Sequence, residues 1–251
     1  MSGGSAGWRL RSALGPRSRS VVRALVDLGA AWAVGSVAGT RTEDQVIAVT
    51  FDDGPDPQVT PGVLRALDRT DCRATFFVLS DRVREHPGVL RSVLAAGHEV
   101  ALHGDNHERL TSLPVAEMQV RLRESRDVVQ EVAGQGLRWF RPPFGAQDRA
   151  VHRTVRGLGL ETVVWGPTAY DWEEGTPEEV AARGLREIAP GRVLLLHDGL
   201  SVPPGHEPPT FDRAAAHGLL LEQLRDTRFA GVSVSDLLRA GTVRRTVWYR
   251  P

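Results

Sequence analysis

Short apolar runs alternate with amphipathic stretches from residue 45 to the C-terminal part of the chain. Several runs are apolar at every position, which is typical of strands covered on both faces, as in a parallel sheet wrapped by helices. The pattern predicts strands at residues 45–51, 74–79, 99–103, 137–141, 161–165, 192–197 and 231–234. Helical periodicity predicts helices at residues 60–68, 81–95, 114–132, 148–158, 176–189 and 212–227. This alternation indicates an α/β fold, either a barrel or a doubly wound sheet.

The N-terminal segment departs from this alternation. We interpret residues 1–42 as a basic leader and residues 43–251 as one folded domain. Five arginines occur in the leader before its first acidic residue, Asp27. As a secretion signal the leader is weak, because Arg23 and Asp27 interrupt its apolar stretch, so both a targeting role and a flexible tail stay open. No other run approaches the roughly 20 apolar residues that a membrane span requires.

Composition narrows the possible chemistry. The chain has 251 residues, and its 31 basic side chains are all arginine, so a catalytic Schiff-base lysine and a phosphate-binding lysine are excluded. A single cysteine, Cys72, rules out an intrachain disulfide and a four-thiolate metal site. The 31 acidic residues balance the charge, which gives no electrostatic argument for binding nucleic acid. Any metal must therefore be held by histidines and carboxylates.

Polar residues cluster where the predicted strands end. Asp52 and Asp53 follow the first strand, His103 to His107 follow the third, Arg141 follows the fourth, and His197 follows the sixth. The carboxyl ends of strands form the ligand-binding edge of barrels and of open α/β sheets alike. This distribution predicts a functional site at that edge.

Two histidines four residues apart, His103 and His107, would lie on one side of the chain if this segment forms a helical turn. Together with a carboxylate from another strand they would make a two-histidine, one-carboxylate metal site with positions open for water. Simpler interpretations are a loop-capping Asp-Gly-Pro turn at Asp53, an exposed histidine pair, and a structural salt bridge at Arg141. The rigid turn formed by Pro142 and Pro143 could aim the next backbone N–H at a ligand.

These residues resemble the motifs of the polysaccharide deacetylases, the NodB-homology domain of carbohydrate esterase family 4. The resemblance extends over residues 46–238, and it implies a distorted (β/α) barrel of about seven parallel strands. The motifs occur in the family's order, as TFDDGP at Thr50–Pro55, HGDNH at His103–His107, RPPFG at Arg141–Gly145, DW at Asp171 and Trp172, and LLLHD at Leu194–Asp198.

The resemblance also implies the catalytic groups. Asp53, His103 and His107 would hold one divalent metal, most often Zn²⁺, with Co²⁺, Ni²⁺ or Mn²⁺ as alternatives. Asp52 would act as general base toward water. His197 would act as general acid and protonate the leaving amine.

Three further roles concern substrate and base. Arg141 would orient the base carboxylate, and the backbone N–H of Phe144 would bind the oxyanion. Trp172 and Leu195 would line the pocket for the acetyl methyl group. The substrate would be an acetylated carbohydrate. An extracellular or cell-surface location is implied, although the weak leader leaves a cytoplasmic one open.

The chain departs from the family pattern at two positions that bear on the site. Gly104 stands where a hydroxyl residue often braces the second histidine, which predicts a looser loop. Thr168 stands where many members have an aspartate that polarises the acid, so we expect weaker support for His197. Asp171 and Asp198 are the candidates to compensate.

We therefore expect a metal-dependent N-deacetylase acting on peptidoglycan or chitin-type oligosaccharides. The alternatives are an O-acetyl esterase of the xylan type and a deacetylase of a small intracellular metabolite. An esterase needs less help from a general acid, so weak support for His197 would favour it. A binding module without catalysis is disfavoured, because every expected metal and catalytic position is occupied. The sequence predicts no nucleic-acid partner and is compatible with a monomer.

Overall fold

The computed structural model describes residues 35–202, 205 and 207–248. The strands and α-helices of these residues follow one another along the chain as a sequence of strand–helix units. They are β1 (Ser36–Arg41), β2 (Val46–Asp52), α1 (Thr60–Arg69), β3 (Ala74–Leu79), α2 (Ser80–Glu85), α3 (Pro87–Ala95), β4 (Glu99–Gly104), α4 (Val115–Ala133), β5 (Trp139–Phe140), α5 (Arg149–Gly157), β6 (Glu161–Thr162), α6 (Pro177–Leu185), β7 (Val193–His197), α7 (Arg213–Asp226), β8 (Ala230–Val232), α8 (Val234–Arg239) and β9 (Thr242–Thr246).

Seven of the described strands form one parallel sheet in the order β6-β5-β4-β3-β2-β7, with β8 pairing with the first half of β2. The chain that follows β6 runs back to β7, where Gly166 N donates to Val193 O at 3.0 Å and Leu195 N donates to Pro167 O at 3.0 Å. These bonds bring the two edges of the sheet together, so the sheet curls into a half-barrel. The predicted distorted (β/α) barrel is confirmed, and the doubly wound alternative is wrong.

Alternating side chains divide the core into two layers. In β2, Ile47, Val49 and Phe51 belong to the apolar layer beneath the helices, whereas Ala48 belongs to a smaller cluster inside the barrel. Because successive side chains of a strand point to opposite faces, Asp52 lies on the inner face with Ala48. The sequence pattern of β2 thus directs a carboxylate into the barrel.

The predicted bounds of a strand agree best with the structure where the apolar run is long. The strand at residues 74–79 is confirmed without change, whereas the two strands predicted at residues 137–141 and 161–165 are only two residues long each. The single helix predicted at residues 81–95 is wrong. It is divided into α2 and α3, because Pro87 lacks an N–H and begins a new helix instead of continuing the first.

The domain boundary needs a correction. Residues of the predicted leader form β1, which pairs antiparallel with β9, and Val37 is fully buried inside the barrel. The strand escaped prediction because its composition is small and glycine-containing. Gly39 has φ +123°, and a Cβ there would lie 2.1 Å from the carbonyl oxygen of Gly191, so glycine is required for this close approach. Residues 1–34 of the predicted leader lie outside the described part of the chain.

No helix within the described ranges is both long enough and apolar enough to cross a membrane.

Candidate active site

The carboxyl ends of the strands surround one cavity of about 350 Å³. The alternation that places Asp52 inward in β2 also places His103 inward in β4 and His197 inward in β7. Of the nine predicted site residues, eight line the cavity and the ninth, Arg141, contacts Asp52. The cavity is lined by Asp52, Asp53, His103, His107, Pro142, Phe144, Trp165, Trp172, Leu195, His197, Leu200 and Ser201.

Asp53, His103 and His107 converge on one point. The Oδ1 atom of Asp53 lies 3.3 Å from Nε2 of His103 and 3.4 Å from Nε2 of His107. The segment does not form the helical turn considered from the sequence, since His103 lies within β4, one residue before its end, and His107 lies in a bend with φ +60°. Asp53 also has a left-handed backbone, with φ +71°, which turns its side chain toward the same point as that of Asp52.

The protonation pattern of these groups fits a metal cation. Nδ1 of His103 lies 2.8 Å from the carbonyl oxygen of Arg141, so in the neutral ring Nδ1 carries the proton and Nε2 presents a lone pair. Burial lowers the pKa of His107 to about 4, which keeps that ring neutral. Oδ1 of Asp53 is buried without a hydrogen bond. Two imidazole nitrogens and one carboxylate oxygen within 4.8 Å of one another could hold a divalent metal ion.

Asp53 is ionised in this environment. Burial acts to raise the pKa of Asp53, but the surrounding imidazoles outweigh burial and lower it below its usual range. The second oxygen of Asp53, Oδ2, accepts a hydrogen bond from the backbone N–H of Ser201 at 3.0 Å. One carboxylate oxygen is thus fixed by the protein, and the other points into the cavity.

Asp52 is held by a buried arginine. Nη1 of Arg141 donates to Oδ1 of Asp52 at 2.6 Å and to Oγ1 of Thr50 at 2.9 Å, and Arg141 is fully buried. The guanidinium also lies 4.1 Å from the ring centre of Phe77. The Oδ2 atom of Asp52 lies 3.7 Å from Nε2 of His103 and has no hydrogen bond to another described residue. Arg141 therefore fixes one oxygen of Asp52 and leaves the other facing the cavity.

His197 has more support than the sequence predicts. Its Nδ1 lies 2.7 Å from Oδ1 of Asp171, and its backbone N–H donates to Oδ2 of Asp171 at 2.8 Å. The expected weakening at Thr168 is therefore wrong, because Asp171 supplies the carboxylate. Asp198 does not compensate, since its Oδ2 accepts from the hydroxyl of Thr60 at 2.6 Å and burial raises the pKa of Asp198 to about 7.

A second histidine supports the same carboxylate. His217, in α7, lies with its Nε2 2.8 Å from Oδ2 of Asp171, and both residues are fully buried. Sequence reasoning missed His217, because a histidine in an amphipathic helix carries no signal for a partner 46 residues away. The alignment His197–Asp171–His217 exists only in the folded chain.

The charges along this alignment favour a protonated His197. Burial opposes the charged form of His197, but Asp171 outweighs burial and raises the pKa to about 9. Burial likewise acts to raise the pKa of Asp171, which His197 and His217 lower far below its usual range. His217 is different, since burial lowers its pKa and keeps it neutral. A neutral His217 donates Nε2–H to Asp171.

The turn after β5 exposes a backbone donor. Phe144 has a left-handed backbone with φ +58°, between Pro143 and Gly145. Gly145 N and Ala146 N donate to the carbonyls of Pro142 and Pro143 at 2.9 Å, whereas the N–H of Phe144 has no acceptor within the described residues. An unpaired N–H at the cavity mouth is the kind of donor that an oxyanion requires.

The remaining wall of the cavity is apolar. Leu195 is nearly buried, and Trp172 lies edge-on to His197 with 5.3 Å between ring centres. Trp165 completes the wall and packs against Trp248 near the end of the chain. Sequence reasoning assigned Trp165 only to the end of a strand. A polar floor beneath apolar walls is the usual composition of a small-ligand site.

Comparison with known proteins identifies the family. The family profile described as polysaccharide deacetylase matches residues 39–163. The chain is 32% identical over 198 residues to the peptidoglycan-N-acetylglucosamine deacetylase of Bacillus cereus, covering 78% of this chain and 89% of that protein. The chain therefore belongs to the polysaccharide deacetylase family, a class of hydrolases acting on carbon–nitrogen bonds other than peptide bonds.

Two further relatives agree with this assignment. The chain is 36% identical over 174 residues to the chitooligosaccharide deacetylase of a Bradyrhizobium species, covering 69% of this chain and 77% of that protein. The solved structure of the peptidoglycan deacetylase PdaC from Bacillus subtilis superposes with a TM-score of 0.70 at 29% identity, covering 79% of this chain and 92% of that chain.

Proposed function

We propose that the protein removes N-acetyl groups from N-acetylglucosamine-type sugars in peptidoglycan or chitin-type oligosaccharides. The observation that carries the proposal is one cavity that joins a possible metal site, a fixed carboxylate and a supported histidine. The named activities of the relatives from Bacillus and Bradyrhizobium support the substrate class.

Asp53, His103 and His107 fit a divalent metal, because an unpaired buried carboxylate oxygen and two imidazole nitrogens lie within 4.8 Å of one another. When bound, such a metal supplies a Lewis acid that lowers the pKa of water and polarises a carbonyl. Ligands of this kind suit Zn²⁺, with Co²⁺, Ni²⁺ and Mn²⁺ as the other candidates.

The protein's own groups handle the protons. Asp52, with Arg141 on one oxygen, uses its other oxygen to accept a proton from the attacking water. Water adds to the acetyl carbon, and the backbone N–H of Phe144 donates to the oxyanion that forms on the carbonyl oxygen. His197 gives its proton to the amine that leaves, and Asp171 stabilises the charged form of His197 beforehand.

The full support of His197 bears on the choice between amide and ester. An amine is a poor leaving group until it is protonated, whereas an ester needs less help from an acid. The contacts of His197 with Asp171 therefore favour an N-deacetylase over the xylan-type O-acetyl esterase.

Acetate release from N-acetylglucosamine oligomers tests the proposal. We expect turnover that is lost on treatment with a chelator and restored by adding Zn²⁺ or Co²⁺. An acetylated xylan and a nitrophenyl acetate serve as ester comparisons. Activity that withstands complete metal removal, or that occurs on the esters alone, would contradict the proposed function.

A further inference from the structure

Strained backbone collects around the cavity. Within the described ranges, six residues other than glycine have positive φ. Three of them line the catalytic cavity, and a fourth, Tyr170, packs against the cavity residue Trp172. Left-handed backbone is unfavourable for residues with a Cβ and is concentrated at functional positions. Asp53, His107 and Phe144 already have roles in the proposed mechanism, but Tyr170, with φ +49°, has none.

Tyr170 also belongs to the exposed aromatic surface of the protein. Phe144, Tyr170 and Trp172 are 48%, 45% and 40% exposed, and the other large exposed apolar side chains in the described part of the chain are valines. Phe144 and Trp172 line the catalytic cavity, and Tyr170 packs against Trp172 beside it. Exposed apolar groups gathered at one place mark an interaction site.

The three rings differ in how many neighbouring side chains contact them. Phe144 packs against His107 with 4.3 Å between ring centres, and the guanidinium of Arg109 lies 5.0 Å from its ring centre. Trp172 contacts both His197 and Tyr170. Tyr170 contacts Trp172 at 5.2 Å, and this is the one ring contact recorded for it in the described structure. Within the described residues, Tyr170 therefore has the fewest ring contacts of the three, and it is nearly as exposed as Phe144.

Tyr170 also lines a second cavity. Trp172 lines the catalytic cavity, and Tyr170 lines a neighbouring one of about 320 Å³, so the Tyr170–Trp172 pair lies between the two. The second cavity combines one aromatic ring with charged hydrogen-bonding groups. It is lined by Gly166, Thr168, Tyr170, Glu173, Arg183, Arg186 and Glu187.

We propose that Tyr170 is a stacking surface for a second sugar ring, next to the acetylated sugar in the catalytic cavity. A pyranose has a C–H face that suits the electron-rich face of an aromatic ring, and hydroxyls at its rim that suit Arg183 and Glu173. Tyr170 then sets a preference for chain length, because a single acetylated sugar in the catalytic cavity does not reach its ring. This inference rests on the proposed function and deepens it.

The test compares chain lengths. We measure kcat/KM for acetate release from N-acetylglucosamine and its β-1,4 oligomers of two to five units, using the wild type, Tyr170→Ala, Tyr170→Phe and the exposed control Val115→Ala. We expect kcat/KM of the wild type to rise with chain length. Tyr170→Ala should lower kcat/KM on the pentamer about tenfold and leave the monosaccharide unchanged, while Tyr170→Phe and Val115→Ala keep the full rise.

A binding measurement separates this inference from the proposed function. Calorimetric titration of the pentamer into the Asp52→Asn variant, with and without Tyr170→Ala, should show about tenfold weaker binding without the ring. Pentamer binding that depends on Tyr170, combined with no acetate release by the wild type, supports the stacking surface and contradicts the proposed deacetylation. Acetate release that is independent of chain length, or an equal loss on all substrates in Tyr170→Ala, overturns the stacking surface and leaves deacetylation standing.

Discussion

The two sides of the catalytic cavity are built differently. The metal side consists of Asp53, His103 and His107, and its central oxygen is buried without a hydrogen bond. The acid side consists of His197, Asp171 and His217, and Asp171 receives three hydrogen bonds from the two histidines. Within the described residues, the carboxylate of the metal side therefore keeps one buried oxygen without a partner, whereas both oxygens of Asp171 on the acid side are paired. The acid side has its own unpaired atom farther from the cavity, Nδ1 of His217.

This difference has a physical meaning. A buried carboxylate oxygen without a donor is unfavourable unless a cation compensates it, and the metal side has two imidazole nitrogens beside that oxygen that could share such a cation. A carboxylate with its donors satisfied holds a neighbouring imidazole in one orientation and one charge state. We expect that each side can be removed by substitution while the structure of the other side persists.

The largest expected effect is on the metal side. Asp53→Ala removes the one carboxylate among the three predicted ligands, and we expect activity to fall about 10³-fold or more, with loss of bound metal. Acetate release and elemental analysis of the purified protein measure the two effects. The exposed carboxylate variant Asp226→Ala is the control. Wild-type metal content in Asp53→Ala would exclude this residue as a ligand.

Removal of the acid affects amides more than esters. In His197→Gln we expect kcat on an N-acetyl sugar to fall about 10²–10⁴-fold, and the rate on an activated aryl ester to fall less than about tenfold. The metal content should stay at the wild-type level, because His197 does not belong to the group of Asp53, His103 and His107. Equal losses on both substrates would mean that His197 does more than protonate the leaving group.

The pH profile reports the coupling of His197 to Asp171. The acid form of His197 is present below its pKa, which is raised to about 9, so kcat should hold up to about pH 9 and fall above it. Asp171→Asn removes the negative charge that raises the pKa of His197, while burial still acts to lower that pKa. The alkaline limb should therefore move down by roughly one to three pH units. If the alkaline limb of the pH profile stays in place in Asp171→Asn, the limb reports the titration of a group other than His197.

The smallest expected effect is at His217. His217→Leu removes one donor from the buried Asp171, and we expect the free energy of unfolding to fall by about 1–3 kcal/mol. His217→Gln can keep an amide N–H near the position of Nε2, so it should lose about half as much or less. Denaturant titration measures both variants. A loss of bound metal in His217→Leu would show that the two sides are not independent.

Sequence reasoning succeeded where neighbouring residues carry the information. The strand at residues 74–79 is apolar throughout, and its bounds agree with β3. Strand prediction also sufficed to place four cavity residues at one edge of the sheet, because each lies within a few residues of a strand end. They are Asp52, Asp53, His103 and His107. Local composition misled where a proline divided α2 from α3.

Other features depend on contacts between distant residues. The bond between His217 and Asp171 links residues 46 apart, and β1 pairs with β9 across almost the whole chain. Thr168 illustrates the difference most directly, because its identity predicted weak support for His197, whereas Asp171 provides the carboxylate. The absence of a carboxylate at residue 168 does not exclude that a carboxylate from another position contacts His197 in the folded chain.

The sequence by itself determined the alternation of strands and helices, the family resemblance and the types of group at the strand ends. Without lysine and with one cysteine, that chemistry had to rest on carboxylates and imidazoles. Tertiary structure alone decided which carboxylate holds His197, which oxygen of Asp53 stays unpaired, and where Tyr170 offers its ring. Backbone pattern is a local property, but hydrogen bonding, burial and pKa depend on every group that the fold brings near.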